Sequence, residues 1–362
     1  MHLIFKLGLG LLLVLVLAAC GGGGSGGDVS SGGTTPGVTI DDSKLVANCF
    51  SASGSNPLLT TSSQFSNANW NDPSVIKVGN SYVMYAAADI NFSQDIKIYR
   101  LTSSDGDNWT LNPISAVLSK ATGPTDWDRK SVETPSVVFF NGIYHMFYTA
   151  YPVSLSIVSD YKIGHATSAD GISWTRDTTY LLAPTDPLNV VPDLSFDQYL
   201  IAEPGAVVFN GKLYVYFTAS GADISVNTTL ETIGVISSSD GVNWSAPLQV
   251  LKPDQTLYPR VNYRGYSTPA AVVINNRMHL FYDVAEDPFV QTKIHHAVSD
   301  DGVSSFVQDN QEIFDRNMFA ITSSEINGPS PLLDGTQLKL YFAGRVGLDL
   351  SIALSNCDLA SP

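Results

Sequence analysis

Basic residues are scarce in this chain, with 19 Lys and Arg against 34 Asp and Glu and a formal charge of −15. No basic track interrupts that excess, so nucleic acid and anionic lipid are poor partners for the body of the protein. No stretch keeps a convincing helical period, which removes helical classes and leaves all-β. A GxSxG elbow, a Gly-rich phosphate loop and a dinucleotide fingerprint are all missing. Histidine is sparse too, at six residues, and no spacing resembles a zinc site. His295 and His296 are strand neighbours that point apart, whereas His165 and His296 each stand five residues before an Asp-Gly aspartate and read as features of a repeat.

What is present begins with a leader. Residues 1–19 carry one basic residue, Lys6, then a mostly apolar run too short for a comfortable membrane span, then small residues. That reads as an export signal, and Leu17-Ala18-Ala19-Cys20 resembles the bacterial lipobox. The resemblance implies lipidation at Cys20 and, with Gly21 next, sorting to an outer membrane where the host has one. Residues 21–44 are rich in Gly and Ser and form a flexible tether, with a reach of about 25 Å. The globular body, residues 45–362, is thus expected to hang from a membrane only through its lipid. Cys49 and Cys357 remain, one at each end of the body in an oxidising setting, and are expected to form a disulfide.

The body repeats one phrase five times, set on Pro73, Pro135, Pro204, Pro269 and Pro329. Its plainest copy is ETPSVVFFNGIYHMFYTAY, starting at Glu133, followed by YKIGHATSADGISW. The intervals of 62, 69, 65 and 60 residues suit a module of three or four strands. After each proline comes an apolar run, a tight turn such as Asn141-Gly142, and a strand rich in aromatics: a hairpin. A third strand leads to Asp-Gly, and a fourth begins near the tryptophan that follows. Five such units, none able to bury its faces alone, predict a single five-bladed β-propeller, monomeric, with a strand near residues 45–50 completing the last blade. The segments around Asp105-Gly106, Asp170-Gly171 and Asp240-Gly241 share a DGxxW core, which Asp301-Gly302 keeps with Phe306 further on. They resemble the Asp-box hairpins of other propellers. There Asp closes a turn, Gly takes φ > 0 and Trp packs between blades, so these aspartates are structural.

Opening strands of a propeller converge on the central channel, so the residues before each proline map its mouth. These are Asp72, Thr134, Glu203, Thr268 and Gly328; one position earlier lie Asn71, Glu133, Ala202, Ser267 and Asn327. Asp72, Glu133 and Glu203 therefore cluster, although strand alternation leaves the direction of Glu133 open. Such grouped carboxylates would also suit Ca²⁺; no resident cofactor is otherwise implied. Trp70 and Trp127 precede opening strands and are candidate sugar platforms. Glu325, Arg264 and Arg345 are further candidates for binding substrate, as are Asn71, Thr134, Ser267, Thr268 and Asn327.

In Asn71-Asp72-Pro73 and the recurrent Pro-Ser-Val phrase, the body resembles the five-bladed propeller superfamily of arabinanases, β-xylosidases, invertases and levansucrases. The resemblance implies that Asp72 is base or nucleophile and that Glu203 takes the place of the acidic residue that tunes proton affinity. It also implies a catalytic acid in the fourth blade, where this chain has Ser267-Thr268-Pro269 and no carboxylate. Glu203, Glu133 or Glu325 would have to serve instead. The leading expectation is a surface-tethered glycoside hydrolase acting on a glycan through paired carboxylates. The alternatives are a catalytically degenerate glycan-binding propeller and a propeller for protein interaction.

Overall fold

The computed structural model describes residues 39–361 apart from 153–160, 186–194, 224–227, 254–255, 257–264 and 288–289. The leader, Cys20 and Arg264 lie outside the described residues. Each proline phrase folds as an antiparallel meander of three long strands. The opening strands are Ala68–Val78, Ser131–Phe140, Leu200–Phe209, Gly265–Ile274 and Glu325–Asp334. The second strands are Ser81–Ile90, Ile143–Tyr151, Lys212–Asp223, Arg277–Asp287 and Gln337–Val346. The third are Lys97–Ser103, Lys162–Ser168, Thr228–Ser238, Val290–Ser299 and Asp349–Asp358. Asn141-Gly142 and Asn210-Gly211 make their hairpins with positive φ at both residues, as a two-residue turn between twisted strands requires.

Short outer strands complete the units, and Thr175–Arg176 does so beside Lys162–Ser168. In the last unit the outer partner comes from the other end of the chain: Ser51–Ala52 pairs antiparallel with Asp349–Asp358. The strand expected at 45–50 is instead two 3₁₀ turns, Asp42–Lys44 and Ala47–Cys49. Asp41 caps the first of these, and Leu45 turns into the core, so pairing begins only at Ser51. Cys49 and Cys357 are bonded beside that pairing.

Hydrophobic side chains gather between consecutive units, not within them. One cluster joins the first and second units, and others join the second to the third, the third to the fourth and the fourth to the fifth. A further cluster joins Trp70, Met84 and Trp109 of the first unit to Tyr341, Ile352 and Leu354 of the fifth. The same tooth recurs at these seams. Tyr85 donates to the Gly171 carbonyl at 2.8 Å and meets Trp174 edge-on at 5.8 Å. Tyr341 donates to the Gly106 carbonyl at 3.1 Å and meets Trp109 edge-on at 6.0 Å, which carries the contact from the last unit to the first. Backbone stitches follow: Ser74 Oγ accepts Val137 N–H, Ser136 Oγ accepts Ala206 N–H and Ser330 Oγ accepts Val75 N–H, at 2.8–3.0 Å. Where the third unit has Gly205, a Cβ would lie 1.9 Å from the Pro269 carbonyl oxygen, so only glycine admits that approach.

Candidate functional site

The opening strands share a defect. Asp72, Thr134, Glu203, Thr268 and Gly328 have φ of 49°, 48°, 57°, 48° and 61°, and the pairing register slips at each. Proline disfavours the right-handed helical region for the residue before it, and a left-handed residue there inserts a bulge that re-aims side chains. For the β-branched Thr134 and Thr268 that conformation is a true outlier, and such strain persists at functional sites. Asp72, Thr134, Thr268 and Gly328 line one small cavity together with the five prolines, and Glu203 stands directly before the wall residue Pro204. Beyond a ring of Ser74, Ser136, Gly205, Ala270 and Ser330 the channel continues as an apolar tube of about 180 Å³.

Burial, neighbouring charges and hydrogen bonds act together at this mouth. Thr134 Oγ1 donates to Asp72 Oδ2 at 3.1 Å. Burial, then the charge of Glu203, pushes Asp72 up to about 7 despite that bond. Glu133 is half-buried and is pushed up to about 8, first by burial and then by the charges of Asp72 and Glu203. Glu203 is held differently: Oε2 accepts the Thr218 hydroxyl at 2.6 Å and the Thr268 N–H at 3.1 Å.

Other expected residues divide. Thr134 and Thr268 line the cavity, and Asn71, Ser267 and Asn327 stand directly before its wall residues in sequence. The buried oxygens Asn71 Oδ1, Ser267 Oγ and Asn327 Oδ1 have no partner among the described residues. Glu325 does not swing in. It pairs with Arg345 Nε at 2.6 Å and accepts Asn327 Nδ2 at 2.8 Å, so Arg345 is spent on it. Trp70 corrects an expectation: it is fully buried, donates to the Ser63 carbonyl at 3.2 Å and stacks on Phe65, so no sugar reaches it. Trp127 is half-buried and stacks on Tyr148, 6.0 Å between centroids, within the core of the first two units. The aspartates of the DG hairpins cap their turns, as Asp170 Oδ1 does by accepting Ile172 and Ser173 N–H, both at 2.8 Å.

His165 and His296 form matched relays remote from the mouth: His145 to His165 to Asp177, at 2.9 and 2.8 Å, and His279 to His296 to Asp309, at 3.1 and 2.8 Å. Among the described residues, no group of three or more His, Cys, Asp or Glu is arranged to hold a metal ion.

One buried carboxyl beside the mouth was not legible in the sequence. Asp283 lies on the second strand of the fourth unit, wholly buried, opposite Ser267. Its Oδ2 accepts the Gly328 N–H at 3.2 Å, and burial holds its carboxyl well above the usual range, with the charges of Glu203 and Asp72 adding to that. The available signal was an Asp in the interior of an aromatic strand, FYDVA, where the second unit reads FYTAY and the third YFTAS.

The Glycosyl hydrolases family 32 N-terminal domain matches residues 133–260, a window that includes Glu133 and Glu203 and stops short of Asp72 and Asp283. No protein of curated function matches the chain by sequence. Solved structures match it by shape. A thermostable family-43 glycoside hydrolase is 16% identical, with a TM-score of 0.62, and the match covers 79% of this chain and 89% of that one. A glycosyl hydrolase from Bacteroides ovatus is 14% identical, at TM-score 0.62, covering 86% and 96%. A family 117 glycoside hydrolase from the marine bacterium Zobellia galactanivorans is 16% identical, at TM-score 0.58, covering 81% and 85%. At these identities the likeness is one of backbone, and it spans nearly all of each relative. The chain carries the all-β propeller fold of these glycoside hydrolases.

Proposed function

We propose that the protein is a glycoside hydrolase working at the carboxylate mouth of a closed five-bladed ring, tethered to a bacterial surface through lipidated Cys20. In this reading residues 1–20 are the signal, 21–44 the leash and 45–362 a monomeric propeller whose last blade borrows Ser51–Ala52. The Tyr341–Gly106 tooth, which repeats Tyr85–Gly171 across the remaining seam, supports closure.

The observation that carries the enzymatic reading is the unequal treatment of three neighbouring carboxyls. Glycosidic cleavage needs one carboxyl protonated and one ionised. Glu133, which accepts from no donor among the described residues, is the acid and protonates the leaving-group oxygen. Asp72, which accepts the Thr134 hydroxyl, acts as base or nucleophile at the anomeric carbon. Glu203, fixed by two donors, opposes the positive charge that develops on the sugar ring. A glycan, neutral in keeping with the acidic mouth, is the partner. With Asp72 raised to about 7 and Glu133 to about 8, kcat/KM is expected to peak between those values and fall on both sides. A pH–rate profile on a panel of plant and microbial glycans checks this. A flat profile, or one centred near pH 5, would count against the assignment.

A second reading, a propeller that binds glycan without cleaving it, is favoured by one observation: Thr268 stands on the opening strand where the resemblance implies the acid. Saturable binding with no turnover anywhere on the panel would decide for it.

A further inference from the structure

The five second strands place Ala87, Thr149, Thr218, Asp283 and Ala343 opposite the residues two before each proline. This column has a backbone task, because the pre-proline N–H of each later unit needs an acceptor. Thr149 Oγ1 accepts the Glu203 N–H at 2.7 Å, and Thr218 Oγ1 accepts the Thr268 N–H at 2.9 Å. Asp283 does the same for Gly328. A hydroxyl is therefore enough for the task, and a fully buried carboxyl is a costly way to perform it.

The neighbouring unit shows what the carboxyl is for. In the third unit, Glu203 on the opening strand faces the hydroxyl of Thr218 on the second. In the fourth unit the pair is exchanged: the opening strand carries the hydroxyl, Thr268, whose side chain approaches Asp283 on the second strand. No closed hydrogen bond reaches Asp283 Oδ1 among the described residues. The fourth unit thus contains its carboxyl, set one layer behind the cavity. Gly328 lies between that carboxyl and the mouth. It binds Asp283 through its N–H, and a Cβ on it would sit 3.4 Å from Asp72 Oδ1, so Gly328 is packed against the Asp72 carboxylate.

We infer that Asp283 is the mouth carboxyl of the fourth unit, exchanged with its hydroxyl partner Thr268, and that it acts as a positioning residue holding Gly328 against Asp72 and Thr268 against Glu203. The inference rests on the mouth being the site described above, but its test needs no turnover. Titrating the Asp72 carboxyl by ¹³C NMR, assigned with Asp72→Asn, reads the positioning directly. Asp283→Asn keeps an acceptor for Gly328 and should leave the Asp72 midpoint within about 0.3 pH unit of its value. Asp283→Ala removes the acceptor and admits water, so the midpoint should fall by about one unit or more toward the ordinary Asp range.

The exchange itself is tested by Thr268→Glu with Asp283→Thr. The double variant should melt closer to the parent than Thr268→Glu alone, because it rebuilds the pairing of the third unit. An unmoved midpoint in a folded Asp283→Ala protein overturns the inference, as do melting losses that simply add in the double variant. If Asp283→Ala does not fold, the double variant decides. An inactive protein that passes these tests would sink the hydrolase reading and leave this one standing.

Discussion

At the scale of single residues, the mouth stores proton affinity at the expense of stability. Asp72 and Glu133 hold protons in the folded state that they release at ordinary carboxyl values when unfolded. Their contribution is therefore fully present at low pH and is lost as pH rises through about 7 and 8. Asp72→Asn and Glu133→Gln should each raise stability at pH 8, by roughly 1–3 kcal/mol after allowance for water at the mouth, and change little at pH 4. Thermal melts at the two values check this; a loss at pH 8 would mean that the carboxylates are stabilised by partners. Asp72, Glu133 and Glu203 were legible in the sequence because each lies within two residues of a repeated proline. Asp283 was not, because its significance comes from the register between two strands, which no linear spacing reveals. Trp70 was misread for a related reason. A tryptophan before a strand looks the same whether it faces a cavity or Phe65.

The strands themselves were easy to read in their centres and harder at their edges. Alternating apolar runs and Asn-Gly turns fixed the hairpins, and the third strand Lys162–Ser168 leads to Asp170-Gly171 as the repeat predicts. The opening strand Ser131–Phe140 starts well before its proline, because the left-handed Thr134 lets a bulge carry pairing through a residue that cannot donate. The strand expected at 45–50 failed because Leu45 contributes more by packing than by pairing. Between elements, the aromatic tooth makes a direct prediction. Trp109 bridges the last and first units as Trp174 and Trp244 bridge earlier ones, against Tyr341, Tyr85 and Phe147. Trp109→Ala should therefore cost about 3–5 kcal/mol in chemical denaturation, comparable with Trp244→Ala. A cost below about 1 kcal/mol at Trp109 alone would mean that the last seam is not built like the others.

Over the whole molecule, the repeat announced an array, and the cysteines at its two ends announced where it meets itself. What the sequence could not convey is which residues supply the outer strand, since two residues of pairing at Ser51–Ala52 are too short to carry a pattern. Reducing the Cys49–Cys357 bond, which spans 308 residues, should lower stability by up to roughly 5 kcal/mol in the chain-entropy view. Melting with and without reductant reads this; an unchanged Tm would place the seam's strength in its packing alone.

The stability curve should also bend down in acid. Burial lowers His145 to about 4 and His279 to about 3, so stability present above the ordinary histidine pKa is lost as pH falls below it. Together with the mouth carboxyls this gives a maximum flanked by losses on both sides. The central claim, hydrolysis by a carboxylate pair at the mouth, is tested most directly by turnover of a glycan panel by the parent protein, Asp72→Asn and Glu133→Gln. Cleavage by the parent is expected, with losses of about 10²-fold or more in kcat for each variant and binding retained. Equal turnover in all three would contradict it.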